Sequence, residues 1–550
     1  MKTPRNSHRQ SNDINRHLLN VALALTAPFL LQPTLVYAVD TLPILWEAGG
    51  ESSGTDSAGQ AARVTVDSTG NVAVVSGPSN SRNLAITSYT AAGSFRWTNE
   101  ISPSIGTFAG DWVAAAPNGD LVAVGHNINS SGNPIALALA RFTEGGALLW
   151  RVDLSRTLPS VGRLLVDTGG NAYLAFNSVG DGQDIQLHKY SPTGALLWSQ
   201  LINTGFMSNN IATSLAFSPD QTEVAISGDT IGGTEWITAL YDTASGTRKW
   251  LVNAPEGVAA RDLVVDVSHV YVTGQGSIGI NSFLTVVAYD RVTGTRVWRM
   301  DKEPVDGSNS AGLRIALAPD GSIVATGQAL RGFLDWYTVA FEATGAVRWE
   351  AVRDGGLNTD EIPAAVLVLP DGSTVVTGKG GPNLPGGFIP GVTVGYSSTG
   401  TLLWEAFSPL VTVWAIALPN GDVCATGGYD AYLAAFRPSG TVASTMHIAD
   451  LDALAVPMPR NWTATVTATV RDSAGAPVSS ATVTGSWKSR LVSTCTTGAD
   501  GTCSVTTTTK ANSEQFTVTG VTHASLTYDP AANTDPDGDS NGTFIRIRRP

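Results

Sequence analysis

From Leu313 to Trp349 the chain reads LRIALAPDGSIVATG, then a variable loop, then WYTVAFEATGAVRW. Two Val- and Ile-rich runs on either side of a tight PDG turn predict two antiparallel strands. A third, alternating run ends in an aromatic residue, and a fourth strand is expected to open on the tryptophan. The same grammar returns along the chain. Its aromatics fall at Tyr89, Phe142, Tyr190, Tyr241, Tyr289, Phe341, Tyr396 and Phe436. Its tryptophans fall at Trp46, Trp97, Trp150, Trp198, Trp250, Trp298, Trp349 and Trp404. No stretch has a sustained 3.6-residue apolar period, so helix is expected to be nearly absent. Four short strands in each unit of about 50 residues is the pattern of a propeller blade.

The eighth unit, VWAIALPNGDVCATGGYDAYLAAFRPSG, lacks its tryptophan strand, while ILWEAGG at residues 44–50 stands alone before the first complete unit. The expectation is an all-β chain whose eight-bladed propeller spans residues 39–443, with the N-terminal strand 44–50 closing the last blade. Closure would remove the free strand edges that an open array exposes. The first and third turns of each unit are short glycine turns, and the long variable segments, such as GKGGPNLPGGFIPG, fall between them. A ligand site is therefore expected on the long-loop face, around the central channel.

AYDRVTGTRVW, from Ala288 to Trp298, resembles the tryptophan-docking motif of the pyrroloquinoline-quinone (PQQ) type propeller repeat, and LYDTASGTRKW, from Leu240 to Trp250, is a looser copy. The resemblance implies an eight-bladed fold in which the turn glycine and the indole lock neighbouring blades together. The tryptophans are then architectural residues that bury area between blades and find a backbone partner for the indole N–H. Quinoprotein dehydrogenases of this class hold the quinone over calcium ligated by Glu, Asn and Asp. No residue-by-residue counterpart of those ligands is found here, nor an adjacent cysteine pair, nor a C-x-x-C-H haem motif. PQQ is accordingly not an expected cofactor.

Aligning the units on their first turn gives a ring, seven residues before that turn, where the innermost strand is expected to begin. It holds Arg63, Trp112, Arg163, Ser214, Asp262, Arg314, Ala365 and Trp414. Guanidinium groups offer forked donors to carboxylate or sulfate, and indoles offer flat faces for rings. Arg63, Trp112, Arg163, Asp262, Arg314 and Trp414 are thus the candidate ligand-binding residues. The alternative is ordinary structure, with arginines paired to acids such as Asp111 and Asp262 and tryptophans packed at blade edges.

After Gly440 the pattern changes to Thr- and Ser-rich alternation, NWTATVTATVRDSAGAPVSSATVTGSW. This resembles the bacterial immunoglobulin-like modules of secreted proteins and predicts a small β-sandwich over residues 444–550. Cys495 and Cys503 flank TTGADGT and are expected to pair across a hairpin turn. DPDGDSNGT sets Asp535, Asp537, Asp539 and Asn541 two residues apart, a spacing that suits a hard cation, with calcium first, or an Asx-rich turn.

Charge narrows the partners. The chain of 550 residues carries a net charge of −13, and the basic segment at residues 1–38 leaves the remainder three units more acidic. That excludes nucleic acid and anionic membrane as natural partners. Residues 1–38 read as a signal peptide cleaved after Ala38, with no later transmembrane segment, which places the protein outside the cell or in the periplasm. There is no G-x-S-x-G elbow, P-loop or metal-spaced histidine set. The favoured function is a secreted binding or scaffold protein that recognises an extracellular glycan or protein at the channel mouth. The alternatives are a PQQ-type oxidoreductase or a polysaccharide-cleaving propeller enzyme, so the question of catalysis stays open.

Overall fold

The computed structural model describes residues 40–41, 44–48, 63–76, 83–102, 107–128, 134–155, 157–179, 183–203, 210–230, 235–355, 360–380, 391–408, 412–419, 421–427, 433–436, 445–472, 477–498, 500–523, 526–536 and 538–550. Residues 1–38, expected to be a signal peptide, and the glycine-rich segment 381–390 lie outside them. No helix among the described residues is long and apolar enough to cross a membrane.

Between residues 40 and 436 the described residues form eight sheets, each built on consecutive antiparallel strands, with two N-terminal strands added to the edges of the last two. The sixth unit shows the plan. Strands Ser310–Leu317, Ile323–Leu330, Leu334–Phe341 and Val347–Arg353 pair in chain order. The first strand of each sheet lies beside the first strand of the next, and that of the last sheet, Thr412–Ala417, lies beside Arg63–Val66 of the first. The innermost strands therefore run around a closed ring. Strand Ile44–Ala48 pairs antiparallel with Leu433–Phe436, so the N-terminal strand is the outermost member of the last sheet. A second short N-terminal strand, Asp40–Thr41, runs parallel to Leu402–Ser408.

The turn chemistry explains why the strands stop where they do. At PDG, Gly321 takes a left-handed φ of +83° and donates its N–H to the Ala318 carbonyl at 3.0 Å. The Asp320 carboxylate accepts the Ser322 amide at 3.0 Å, which fixes the turn against fraying. The second strand of each sheet is buried on both faces, as in Val72–Ser76 and Glu223–Thr230, and neighbouring sheets share apolar clusters. That two-sided burial explains why these runs are near-continuously apolar instead of alternating.

The fourth strands do not open on the tryptophan. They begin two residues earlier, as in Phe95–Ile101 and Arg296–Lys302, with a register shift beside the aromatic of the third strand. The docking geometry is nonetheless explicit. The indole N–H groups of Trp97, Trp150, Trp198, Trp250 and Trp298 donate to the carbonyls of Glu144, Pro192, Thr243, Arg291 and Ala343, all in the third turn of the following sheet, at 2.8–3.1 Å. The turn glycine lies under the ring. A Cβ on Gly294 would stand 2.7 Å from Trp250, and one on Gly345 would stand 3.0 Å from Trp298. The repeated tryptophan is thus a staple between neighbouring sheets.

Residues 445–548 form two further four-stranded sheets. One holds Thr445–Pro457, Trp462–Asp472, Thr502–Thr509 and Thr527–Tyr528. The other holds Thr482–Trp487, Val492–Thr496, Ser513–Thr522 and Phe544–Arg548. Strict alternation along Trp462–Asp472 turns one face inward, and the two sheets share one core around Trp462, Trp487 and Phe516. Cys495 and Cys503 form a disulfide with their Cα atoms 5.7 Å apart. Their strands do not pair as the expected hairpin. Val492–Thr496 and Thr502–Thr509 belong to different sheets, so the bridge ties the two layers together.

Candidate functional site

The eight ring residues occupy equivalent register positions on the innermost strands. Arg63, Trp112, Arg163, Ser214, Asp262, Arg314, Ala365 and Trp414 stand opposite Val75, Val124, Ala175, Ser227, Thr273, Thr326, Thr377 and Thr426 of the second strands. Seven of them are not strand starts, however. In seven of the eight sheets the strand continues beyond them, and the ring residue follows a break in the register, for instance between Gly110 and Trp112 or between Gly312 and Arg314. Each break skips one residue, the signature of a β-bulge. The bulge resets the in-and-out alternation, which is why the strand looks, in sequence, as if it began there. Arg314 has four strand residues before it and Trp414 two, so these two lie roughly 13 and 7 Å in from their strand ends at about 3.3 Å per residue.

Seven of the ring residues line one cavity of about 140 Å³, together with Thr213 and Arg261. Ala365 is buried and does not reach it. Thr213 and Arg261 are the residues skipped at two of the bulges. Sequence alignment on the first turn passed over them because a bulge places two consecutive side chains where the period-two pattern allows one. The signal that could have found Arg261 is its position directly before Asp262 of the ring.

Inside the cavity the arginines and tryptophans interlock. Trp112 and Trp414 meet edge to face, with ring centres 5.2 Å apart. The Arg63 guanidinium lies 4.8 Å from the centre of Trp112 and 4.7 Å from that of Trp414. Arg163 lies 5.3 and 5.7 Å from the same two rings, and Arg314 lies 5.6 Å from Trp414. The indole faces therefore carry guanidinium groups and are not laid open for stacking a ligand ring, which departs from the expectation drawn from sequence.

Asp262 is the one acid among the described residues that line the cavity, and its oxygens are committed. Oδ1 accepts Arg163 Nη1 at 3.1 Å, Ser214 Oγ at 2.6 Å and the Leu263 amide at 3.0 Å, while Oδ2 accepts the Ile315 amide at 3.4 Å. Asp111, a bulge residue, accepts His126 Nδ1 at 2.9 Å. Burial and the nearby charges of Arg314 and Arg163 push the Arg63 guanidinium down to about 9. Burial likewise lowers Arg314, with Asp262 holding it up and Arg163 and Arg261 pressing it further down. Burial raises the Asp111 carboxyl. At His126 burial is outweighed by the hydrogen bond and charge of Asp111, so the imidazole is raised as well. The Arg314 Nε is buried with no hydrogen-bond partner among the described residues. Four guanidinium groups line the cavity with Asp262, while Asp111 and Asp229 act on Arg63 and Arg261 from close by.

The candidate cation residues near the C-terminus are arranged differently. Asp535 accepts the amides of Gly538 at 3.3 Å and Ser540 at 2.8 Å, and Asn541 Oδ1 accepts those of Thr543 at 3.0 Å and Phe544 at 2.7 Å. Asp537 lies outside the described residues, and Asp539 has a partner of its own. Among the described residues no group of three or more His, Cys, Asp and Glu side chains is placed to hold a metal ion.

No protein-family model matches the chain, and no curated protein matches it. Solved structures similar to it are propeller proteins. The Dos1 propeller matches with a TM-score of 0.50 at 10% identity, over 72% of this chain and 95% of that one. Quinohemoprotein alcohol dehydrogenase from Comamonas testosteroni matches with a TM-score of 0.47 at 11% identity, over 72% of this chain and 76% of that one. Chaetomium thermophilum Sqt1, bound to the N-terminus of the ribosomal protein L10, matches with a TM-score of 0.44 at 14% identity, over 67% of this chain and 94% of that one. Together with the sheets described above, the Dos1 likeness defines the class as a β-propeller.

Proposed function

We propose that this is an exported recognition protein whose channel binds an acidic ligand, a glycan or a protein, outside the cytoplasm. In this reading residues 39–443 form a single eight-bladed propeller of PQQ-like type, and residues 444–550 form an immunoglobulin-like module that spaces or anchors it. The observation that carries the reading is the cluster of Arg63, Arg163, Arg261 and Arg314 around one cavity, with Asp262 as the only acid among the described residues that line it. Such a surplus is costly to hold together unless an anion completes it, and forked guanidinium donors match carboxylate, sulfate and phosphate oxygens.

A quinone held over calcium does not fit the cluster. A divalent cation there would meet four guanidinium groups, and the oxygens of Asp262 are already taken by Arg163, Ser214 and two amides. Asp535 and Asn541 accept backbone amides and keep lone pairs that a calcium ion could share, so calcium at this turn is part of the proposal for the C-terminal module and not of the channel. The test is a thermal-shift screen of the full chain against acidic and neutral polysaccharides. Acidic ligands should raise the melting temperature at low salt and lose the effect as salt screens the cluster. A uniform absence of shifts would overturn the proposal.

A further inference from the structure

We infer that the outer edge of the third sheet, the strand Leu196–Ile202, is a contact surface where a second copy of this chain pairs with the first, strand against strand about a two-fold axis. This surface lies on an outermost strand, apart from the channel cluster, and goes beyond the recognition role. The first argument is that the edge is unguarded. Strands Thr157–Val166, Ala172–Val179, Gln183–Tyr190 and Leu196–Ile202 pair in that order, so the last has no strand on its outer side among the described residues. Its sequence, LLWSQLI, holds no charged residue. The outermost strand of each of the other seven sheets holds at least one, as Arg96 and Glu100 do in FRWTNEI. Charged side chains are a common means by which natural sheets keep their edges from recruiting other strands. Leu196, Leu197 and Leu201 are each 51% exposed, so the edge is apolar as well as uncharged.

The second argument is that the same position takes an added strand elsewhere in the molecule. In the seventh sheet Asp40 and Thr41 pair with Trp404 and Glu405 of the outermost strand, although a break in the register precedes Trp404. The third sheet has the same break, beside Leu197 and before Trp198. The break therefore does not close the edge, and Trp198 and Ser199 stand where Trp404 and Glu405 stand. Trp198 is held by the fourth sheet, its indole N–H donating to the Thr243 carbonyl at 3.1 Å, so the strand is fixed in place before a partner joins it.

The third argument selects the occupant. Antiparallel pairing about a two-fold at Ser199 sets Leu197 of one copy opposite Leu201 of the other, and does so twice. A charged peptide would find no opposite charge on this strand, whereas a second copy brings the same uncharged leucines. The flanking outermost strands keep their charges engaged, Arg151 with Asp153 at 2.7 Å, Lys249 with Glu223 and Arg248 with Tyr241, which limits repulsion between two copies. One strand of seven residues is a small contact, so the dimer is expected to be reversible, with a Kd of about 10–100 µM.

The experiment is sedimentation velocity of the full chain from about 1 to 200 µM, joined to cysteine cross-linking. A monomer at the low end that passes to a dimer at the high end is expected. Leu201→Lys should weaken the dimer by about tenfold or more, because each substitution counts twice across a two-fold, and should leave the melting temperature unchanged because the side chain is half-exposed. Ser199→Cys should form a disulfide-linked dimer under mild oxidation, since a two-fold at that residue brings its two Cα atoms within about 6 Å. Thr98→Cys, at the matching position of the guarded first sheet, is the control and should stay uncrosslinked. A chain that stays monomeric throughout, leaving the edge to a strand of some other protein, would overturn the inference. So would a dimer that Leu201→Lys leaves intact and Ser199→Cys fails to trap, because it would use another surface.

Discussion

At the scale of single residues, burial decides what each ionisable group can do. His188 packs edge to face against Phe176, with ring centres 4.8 Å apart, and its Nδ1 lies 2.9 Å from the Tyr190 hydroxyl. Burial pushes its imidazole down to about 4 from an ordinary 6.5. A depressed folded value means that protons bind the unfolded chain first, so the contribution is intact above pH 6.5 and is lost as pH falls toward 4. At pH 5 the cost is about 2 kcal/mol. The urea midpoint of the full chain should fall between pH 7 and pH 5, and His188→Gln should flatten that part of the profile. An unchanged slope in the variant would show that other groups govern acid sensitivity. Asp262 shows the opposite use of burial, with both carboxylate oxygens supplied by donors from its own and neighbouring sheets.

At the scale of elements, the unit that matters is the pair of neighbouring sheets joined by one tryptophan. Trp298 donates to the Ala343 carbonyl and covers Gly345, whose φ of +89° and close approach both disfavour a Cβ. Trp298→Ala should cost about 3 kcal/mol through lost packing, whereas Trp298→Phe keeps most of the area and loses only the hydrogen bond, about 1 kcal/mol. Gly345→Ala should cost about 1–3 kcal/mol through backbone strain. Denaturant unfolding of the three variants orders these effects, and an alanine variant no worse than the phenylalanine one would refute the staple. This level was readable from the sequence because the motif is local to one turn and one strand. The bulges were not, since a skipped residue on the innermost strand leaves no turn signal and only the pairing partner reveals it.

At the scale of the whole molecule, closure is the controlling event. The pairing of Ile44–Ala48 with Leu433–Phe436 brings together segments almost 400 residues apart in the chain and covers the outer edge of the last sheet. Deleting residues 39–48 should lower the melting temperature and produce self-association visible by light scattering, because a free strand edge recruits other chains. A truncated chain that stays monomeric with an unchanged transition would mean that the ring does not depend on this strand. Closure also assembles the channel cluster. Arg163 and Asp262 come from the third and fifth sheets, and Arg63 sits between tryptophans of the second and the eighth.

The sequence by itself determined the period of the repeat, the strand-turn-strand grammar, the tryptophan staples and the set of residues on the ring, because each depends on side chains within a few positions of one another. Only the tertiary structure decided that those ring residues converge on one small cavity, that Arg261 joins them, that the indoles carry guanidinium groups, and that the disulfide spans two sheets. The first three depend on where a closed ring brings strands tens to hundreds of positions apart, and the last on which layer each of two strands joins, and no local pattern encodes either.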